Sequence, residues 1–448
     1  MLLKLAEILR SIEYDRLSEL TVEKAKITLL NFIGTGLAAA DSKEVLAEIA
    51  VWDEQRSAGK SVILGHAGRV SSAAAASVNA MMGQVFLLED CQEHTLSHPG
   101  VTSIPVALAV AESREASGKR VIEAIVAGYE CIGRIGGVLI VLPGFPDYGL
   151  RPASTLAPFG AAAAAARILG LDAEGIAAAL SIAGNTASGV MEFVNTGTAD
   201  ICLQNCFAAK SAVMAAMLAE RGIQAAPTIL EGRFGLGRAM NRKELDWGAA
   251  LVSNPGHYMI DHSFIKRYPG CGHVLATAQA ASSITKQHKI KPQDIDKVTV
   301  GVSRGATEFP GVDNPGPYHG TISAMMSHQF MVSSAIVHGE VSVDTVKKYD
   351  DADVAQTARK VFVEFDAEVD AAFPKKTGAK LEILLKSGEV LRDFQEDLKP
   401  MEPSEVIERF EKVARQYFSD ERVAEILDKV MRLEELGSVS GLMGLLEA

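Results

Sequence analysis

The segment KRYPGCGH, residues 266–273, carries two cations, a phenol, a thiol and an imidazole. Pro269 and Gly270 force a turn there, and reactive side chains on a turn between domains suit an active site. An exposed basic loop is the plainer alternative. A second segment, EHTLSHPG, sets His94 and His98 four residues apart. On a helix that spacing would aim two imidazoles at one metal ion. Pro99, however, disfavours helix at the residue before it, and no carboxylate stands at a recognised ligand spacing. A loop that lends histidine to an organic active site is the preferred reading, and no metal is expected. A third segment, DYGLRPAS, places Tyr148 and Arg151 three apart just before a helix. Arg151 either pairs with Asp147 or offers its planar fork to a substrate carboxylate.

Other motifs carry less. GVSRG, residues 301–305, has the spacing of a nucleophile elbow. That motif needs a strand followed at once by a helix, whereas Pro310 in the following ATEFPG argues for a loop. RFGLGRAM is glycine-rich but lacks the preceding strand and the spacing of a dinucleotide fingerprint. Cys91, Cys131, Cys202, Cys206 and Cys271 are scattered and odd in number, which suits buried free thiols better than disulfides or zinc.

These segments must be positioned by a largely helical chain. Apolar stripes predict helices over roughly 20–40 (behind a Thr21 cap), 71–86, 103–117, 121–142, 155–169, 173–183 and 208–221. In GAAAAAARILGL the run Ala161–Ala166 has high helix propensity and lets a neighbouring helix approach closely. Near residue 290 the period changes. DKVTVGVS and KLEILLKSGEVLRDF alternate apolar and polar residues, so they predict strands, the second with a turn at Ser387-Gly388. Helical stretches are expected between them at 322–337 and 351–361, and the helical pattern returns at 403–417 and 420–433. The expected fold is mainly α: a large helical domain over 1–264, a smaller α+β domain over 265–395, and helices over 396–448 that pack back on the first.

A chain of 448 residues with 48% hydrophobic and 22% charged residues can bury a large core and ordinarily divides into two domains. Its net charge of -12 opposes binding to nucleic acid or anionic lipid, so an anionic substrate must meet a local cationic pocket. MLLKLAEILRS reads as an amphipathic helix rather than a signal peptide, and no uninterrupted apolar run reaches the ~20 residues of a membrane span. A cytoplasmic protein is expected.

Three segments in order give a resemblance. They are ASVNAMMGQVFLLEDCQEHTLSHPG, RPASTLAPFGAAAAAARILGL and KRYPGCGH, and with the helical entry, α+β section and helical tail they resemble the MmgE/PrpD family along essentially the whole chain. The resemblance implies a large helical domain, a small lid domain with a site between them, and a homodimer. It also implies an enzyme that acts on a small polycarboxylate by removing a proton beside a carboxylate, with no cofactor. The departures matter. Dehydratase and decarboxylase members carry several aspartates where this chain has Leu87, Leu88, Glu89 and Asp90. The histidine before the alanine-rich helix is Arg151 here, and a lysine of a Thr-Lys segment is missing near Asp200 and Ile201.

Loss of acid/base groups tells against dehydration, which must also protonate a leaving hydroxyl. Epimerisation expels nothing, and extra cations would stabilise the planar carbanion, so the resemblance points to the epimerase branch, with iminodisuccinate as substrate. On that basis Lys266 is expected to be one base, its pKa lowered by desolvation beside Arg267. Tyr148 would be the opposing acid/base, and His98 would hydrogen-bond or protonate the substrate. Arg151, His94, Arg267, Tyr318 and His273 would hold its carboxylates. The alternative is a 2-methylcitrate-type dehydratase or cis-aconitate-type decarboxylase.

Overall fold

A computed structural model describes residues 1–140, 149–241, 244–252 and 256–448. Its first section stacks helices α1 (Leu2–Arg10), α2 (Glu19–Ala38), α3 (Lys43–Glu54), α4 (Ser72–Gln84), α5 (Gly100–Ser113), α6 (Gly118–Leu139), α7 (Pro152–Ile168), α8 (Ala173–Gly184), the single turn α9 (Phe193–Thr196) and α10 (Asp200–Glu220). The fold is mainly α.

At the centre lies α7, buried from end to end and packed by α5, α6, α8 and α10. Pro152 opens it, where a missing N–H costs no helical hydrogen bond. Its alanines leave little side chain between backbones. The tightest crossing is with α6, where a Cβ on Gly160 would stand 2.9 Å from the Gly128 carbonyl oxygen and 2.5 Å from Ile132 Cδ1.

Two helix starts differ from expectation. α2 is capped by Ser18, whose hydroxyl accepts from the Thr21 amide at 3.1 Å, so Thr21 lies inside the helix. α10 begins at Asp200 rather than near Ala208, because Ile201, Cys202, Asn205 and Cys206 already supply a buried stripe. By length and composition α10 could cross a membrane, which the expectation of no such stretch did not foresee. Its inner side is instead buried against α4, α7 and α8.

Two short ladders lie among the helices: β1 (Ser61–Val62) with β2 (Arg69–Val70), and β3 (Asp90–Cys91) with β4 (Phe264–Ile265). The later section holds β5 (Ile295–Val302), β6 (Val361–Phe365), β7 (Ala379–Leu385) and β8 (Val390–Gln395) in the order β6-β5-β7-β8. β5 and β6 are parallel and the other neighbours antiparallel. The helices Leu275–His288 and His328–His338 cover one face. The helix expected over 351–361 is Ala352–Ala358; β6, which follows it, was not expected, because the strand is too short and too exposed to alternate cleanly. The helix expected over 322–337 is two, Thr321–Met326 and His328–His338, broken at Ser327, whose hydroxyl caps the second. The helix Pro403–Ala414 packs on α2, with Phe410 Cα 3.3 Å from where a Gly34 Cβ would be.

Candidate active site

The β3–β4 ladder pairs Asp90 with Ile265 and Cys91 with Phe264, so the next antiparallel partners are Glu89 and Lys266. The Lys266 amide lies 3.4 Å from the Glu89 carbonyl oxygen. Its Nζ donates to Glu89 Oε1 at 2.6 Å and to the Gly270 carbonyl at 3.1 Å. Both side chains are 2% exposed or less. Glu89 is reached through Leu87, which holds φ +47 and accepts from the Gly270 amide. A bulky residue in this left-handed conformation is strained, and the approach to the turn at Gly270 holds it there.

His98 closes the cluster. The loop after β3 returns through the Gln92–Ser97 bridge, and Pro99 ends it at the start of α5. His98 Nδ1 donates to the Asp90 carbonyl at 2.9 Å and lies 3.5 Å from Glu89 Oε1 and 3.4 Å from Cys91 Sγ. With Nδ1 carrying the proton, Nε2 is left as an acceptor on a side chain still 21% exposed.

Arg151 sits at the N-cap of α7, buried, donating to Ser154 Oγ at 3.2 Å and to Gln84 Oε1 at 3.5 Å. Among the described residues no carboxylate lies within ion-pair distance of it; Asp147, the pairing considered from sequence, lies outside them. Asn205 on α10 donates to the same Gln84 oxygen at 2.5 Å, and Ser154 bonds Gln204. Gln84 Nε2 and Glu89 Oε2 are buried without a hydrogen-bond partner among the described residues.

Burial and neighbouring charge set the protonation states. Burial pushes the Lys266 pKa down, but Glu89 outweighs it and the net direction is up, with Glu89 itself held below the usual carboxylate range. This corrects the expectation of a lysine lowered toward neutrality by Arg267: the ammonium stays charged. His98 goes the other way. Burial, with Lys266 and Arg151 nearby, takes it down to about 3 against the pull of Glu89, so the ring is neutral. Burial also takes Asp90 up to about 6 and Arg151 down to about 10.

The structure thus brings together Lys266, His98 and Arg151. It places the other sequence candidates elsewhere. Arg267 forms a two-pronged pair with Glu405 at 2.5 and 2.6 Å and also donates to the Lys399 and Pro400 carbonyls. His94 is exposed on the turn Glu93–Thr95, near His262. Tyr318 is buried, its hydroxyl donating to the Asn314 carbonyl at 3.2 Å and its ring edge-on to Phe330. His273 stacks on Phe309 at 4.4 Å, and burial takes it down to about 4. Tyr148 lies outside the described residues. The GVSRG segment does join β5 to a short helix, Arg304–Glu308, contrary to the loop expected. Ser303 nonetheless has an ordinary extended backbone, φ -65 and ψ 161, and no histidine bonds to it among the described residues.

Sequence reasoning gave no role to Glu89, Gln84, Asn205 or Ser154. Among these, Glu89 alone left a signal, as one of the two acids, with Asp90, that follow Leu87 and Leu88. The cavity on the Leu398–Pro400 side of Lys266 has a volume of ≈ 10 Å³, room for about one water, and is no substrate pocket. A depression of ≈ 700 Å³ lies on the open sheet face, where Lys380 pairs with Asp366 and Arg392 with Glu382, far in kind from an anion site.

Residues 3–247 match the MmgE/PrpD N-terminal domain and residues 268–433 the MmgE/PrpD C-terminal domain. The chain belongs to the MmgE/PrpD family. Cis-aconitate decarboxylase of Aspergillus terreus is 25% identical over 415 residues, 86% of this chain and 83% of its own length. The human protein named cis-aconitate decarboxylase is 24% identical over 471 residues, covering 99% and 93%. The cis-aconitate decarboxylase-like protein oryM of Aspergillus oryzae is 23% identical over 450 residues, covering 95% and 92%. This MmgE/PrpD chain is therefore related over nearly its whole length to enzymes; Glu89, His98 and Arg151 fall within the matched N-terminal domain, and Lys266 lies in the short stretch between the two matched domains.

Proposed function

We propose that this MmgE/PrpD protein is an epimerase of a polycarboxylate imino acid, iminodisuccinate, working without a cofactor. The observation that carries this reading is that Lys266 Nζ and His98 Nδ1 stand against one carboxylate oxygen, Glu89 Oε1, at 2.6 and 3.5 Å, an arrangement that favours a charged lysine beside a neutral imidazole. A neutral imidazole can take the α-proton. The ammonium of Lys266 and the guanidinium of Arg151 can stabilise the charge that moves onto the adjacent carboxylate. The proton is then returned to the opposite face of the same carbon, so no atom leaves. Tyr148 remains the proposed donor on that face. Burial is the main cause that holds His98 down, with Lys266 and Arg151 adding to it; substrate carboxylates entering beside those two cations would offset their part and so raise its basicity.

Because Lys266 and Glu89 are almost completely enclosed, the site must open to admit a polycarboxylate. Movement of the α+β section as a lid is part of the proposal; the Cys271 amide already ties the KRYPGCGH turn to Met325 in that section at 3.0 Å.

The relatives' names favour a second reading, decarboxylation of cis-aconitate. Proton NMR in heavy water separates them. Metal-stripped enzyme is given one stereoisomer of iminodisuccinate and, separately, cis-aconitate and 2-methylcitrate. Loss of the α-proton signal with growth of the other diastereomer supports the epimerase. An unchanged iminodisuccinate together with loss of carbon dioxide or water from a tricarboxylate refutes it.

A further inference from the structure

The β3–β4 ladder holds two residue pairs, and beyond it the Lys266 amide stands a long 3.4 Å from the Glu89 carbonyl. So short a ladder leaves the step from Asp90–Ile265 to Glu89–Lys266 weakly held. Two helices far apart in sequence hold it instead. Ile27 of α2, Ile265 of β4 and Val406 of the helix Pro403–Ala414 form a small apolar cluster of their own. One turn along each helix and one residue along the strand, the layer becomes polar: Asn31, Arg409 and Lys266. Arg409 Nη1 donates to the Lys266 carbonyl at 2.9 Å, and its Nη2 donates to Asn31 Oδ1. Asn31 Nδ2 donates in turn to the Leu88 carbonyl at 3.2 Å. That carbonyl belongs to the peptide bond that enters Glu89, so one guanidinium holds the backbone on both sides of the pair.

Charge pairing does not explain Arg409. Glu405, one turn earlier, is taken by Arg267. Among the described residues Arg409 donates to the Lys266 carbonyl and Asn31 alone. Loss of hydration, with the Arg267 charge beside it, takes its pKa down to about 10, so it is a cation at neutral pH. A half-buried cation without an acid is poor stabilising material. A planar fork that meets two acceptors at a fixed angle is well suited to setting a register. The neighbouring carbonyls are held from the same two directions: Ser263 by Lys24 Nζ of α2 at 3.1 Å, and Ile265 by the Met401 amide at 3.2 Å.

We propose that Arg409, acting directly and through Asn31, is a positioning residue that sets the Glu89–Lys266 pair. The proposal rests on the reading of that pair as part of the site, and not on which polycarboxylate reacts. Folded Arg409→Gln should lose about tenfold or more in kcat, with KM within about twofold of wild type. Asn31→Asp keeps an acceptor for Arg409 but no donor for Leu88, and should show the same split. The two changes together should cost little more than Arg409→Gln alone, because they break one chain of contacts. A second readout needs no turnover. Acetic anhydride followed by peptide mass spectrometry should label Lys266 severalfold faster in Arg409→Gln than in wild type, scaled to exposed Lys43. Phe410→Leu, which loosens the same helix against Gly34, should lower the melting temperature and move neither readout. If Arg409→Gln does not fold, Arg409→Lys, which can reach one of the two oxygens, should show both effects in smaller measure. A wild type inert to iminodisuccinate but active on cis-aconitate refutes the substrate reading alone, and kcat is then read on cis-aconitate; if neither reacts, the labelling decides. Either readout left at the wild-type value in the folded Arg409 variant, or both moved equally by Phe410→Leu, would overturn the proposal.

Discussion

Glu89 and Lys266 are cross-strand neighbours one step beyond a two-residue ladder, and they meet at 2.6 Å where neither side chain is more than 2% exposed. Replacing such a pair with apolar groups can leave stability unchanged, whereas removing one partner strands the other charge in the interior at a cost of ~3–5 kcal/mol. Lys266→Ala should therefore lose both activity and stability, and activity alone does not assign its role. The double variant Lys266→Met with Glu89→Gln should recover most of the thermal stability and none of the turnover. Recovery of turnover in that folded double variant would remove Lys266 from the chemistry.

His98 should be neutral in the free enzyme throughout the neutral range, since its pKa is down at about 3. Carbon-labelled histidine spectra, assigned by the signal lost in His98→Gln, should show a ring resonance that does not move between pH 8 and 5. Adding a polycarboxylate should raise its midpoint, because the ligand's charge offsets Lys266 and Arg151. A free-enzyme midpoint near the ordinary histidine value would refute the assignment of His98 as a neutral acceptor.

Arg267 should behave as a clamp between the KRYPGCGH turn and the C-terminal helices. Its pair with Glu405 is two-pronged but its side chain is 28% exposed and that of Glu405 35%, so solvent screening limits the coupling to about 0.5–1 kcal/mol in a double-mutant cycle. Arg267→Gln should leave KM within about twofold of wild type. A tenfold rise in KM with kcat unchanged would instead place Arg267 on the substrate.

What the sequence disclosed follows from distance along the chain. Lys266, His98 and Arg151 stand out locally, as reactive types on turns or ahead of a proline. The partner that sets the protonation of Lys266 lies 177 residues away and is joined to it only by the β3–β4 pairing, which two-residue strands do not announce. Arg267, adjacent in sequence, was the wrong neighbour to weigh, because successive side chains of an extended segment point to opposite sides. The same distance effect hid Gln84, which accepts from Arg151 from another helix, and Asn205, which donates to that same Gln84 oxygen. Most long helices were legible from their apolar stripes, but α3 and the helix Leu275–His288 were not expected; nor was β6, a short edge strand with one buried residue.

Asp90→Asn should change how stability depends on pH. Asp90 is fully enclosed, accepts from the Gly100 amide at 3.2 Å, and has its pKa raised from 3.8 to about 6. A carboxyl raised on folding favours the protonated form in the native state, so its contribution is fully present below the unfolded pKa and is lost as pH rises through the folded one. Between pH 4 and 7 the wild type should therefore lose about 2 kcal/mol from this group, the larger part of the full shift at 1.36 kcal/mol per pKa unit. Glu112, raised to about 7, adds a slope of the same sign to both proteins, so the difference between them isolates Asp90. Denaturant midpoints at pH 4.5 and 8 make the comparison. The asparagine variant should gain on wild type with rising pH, because its amide keeps an acceptor for Gly100 without a charge. A gap that is flat, or that widens toward acid, would show that Asp90 is ionised in the native state across this range.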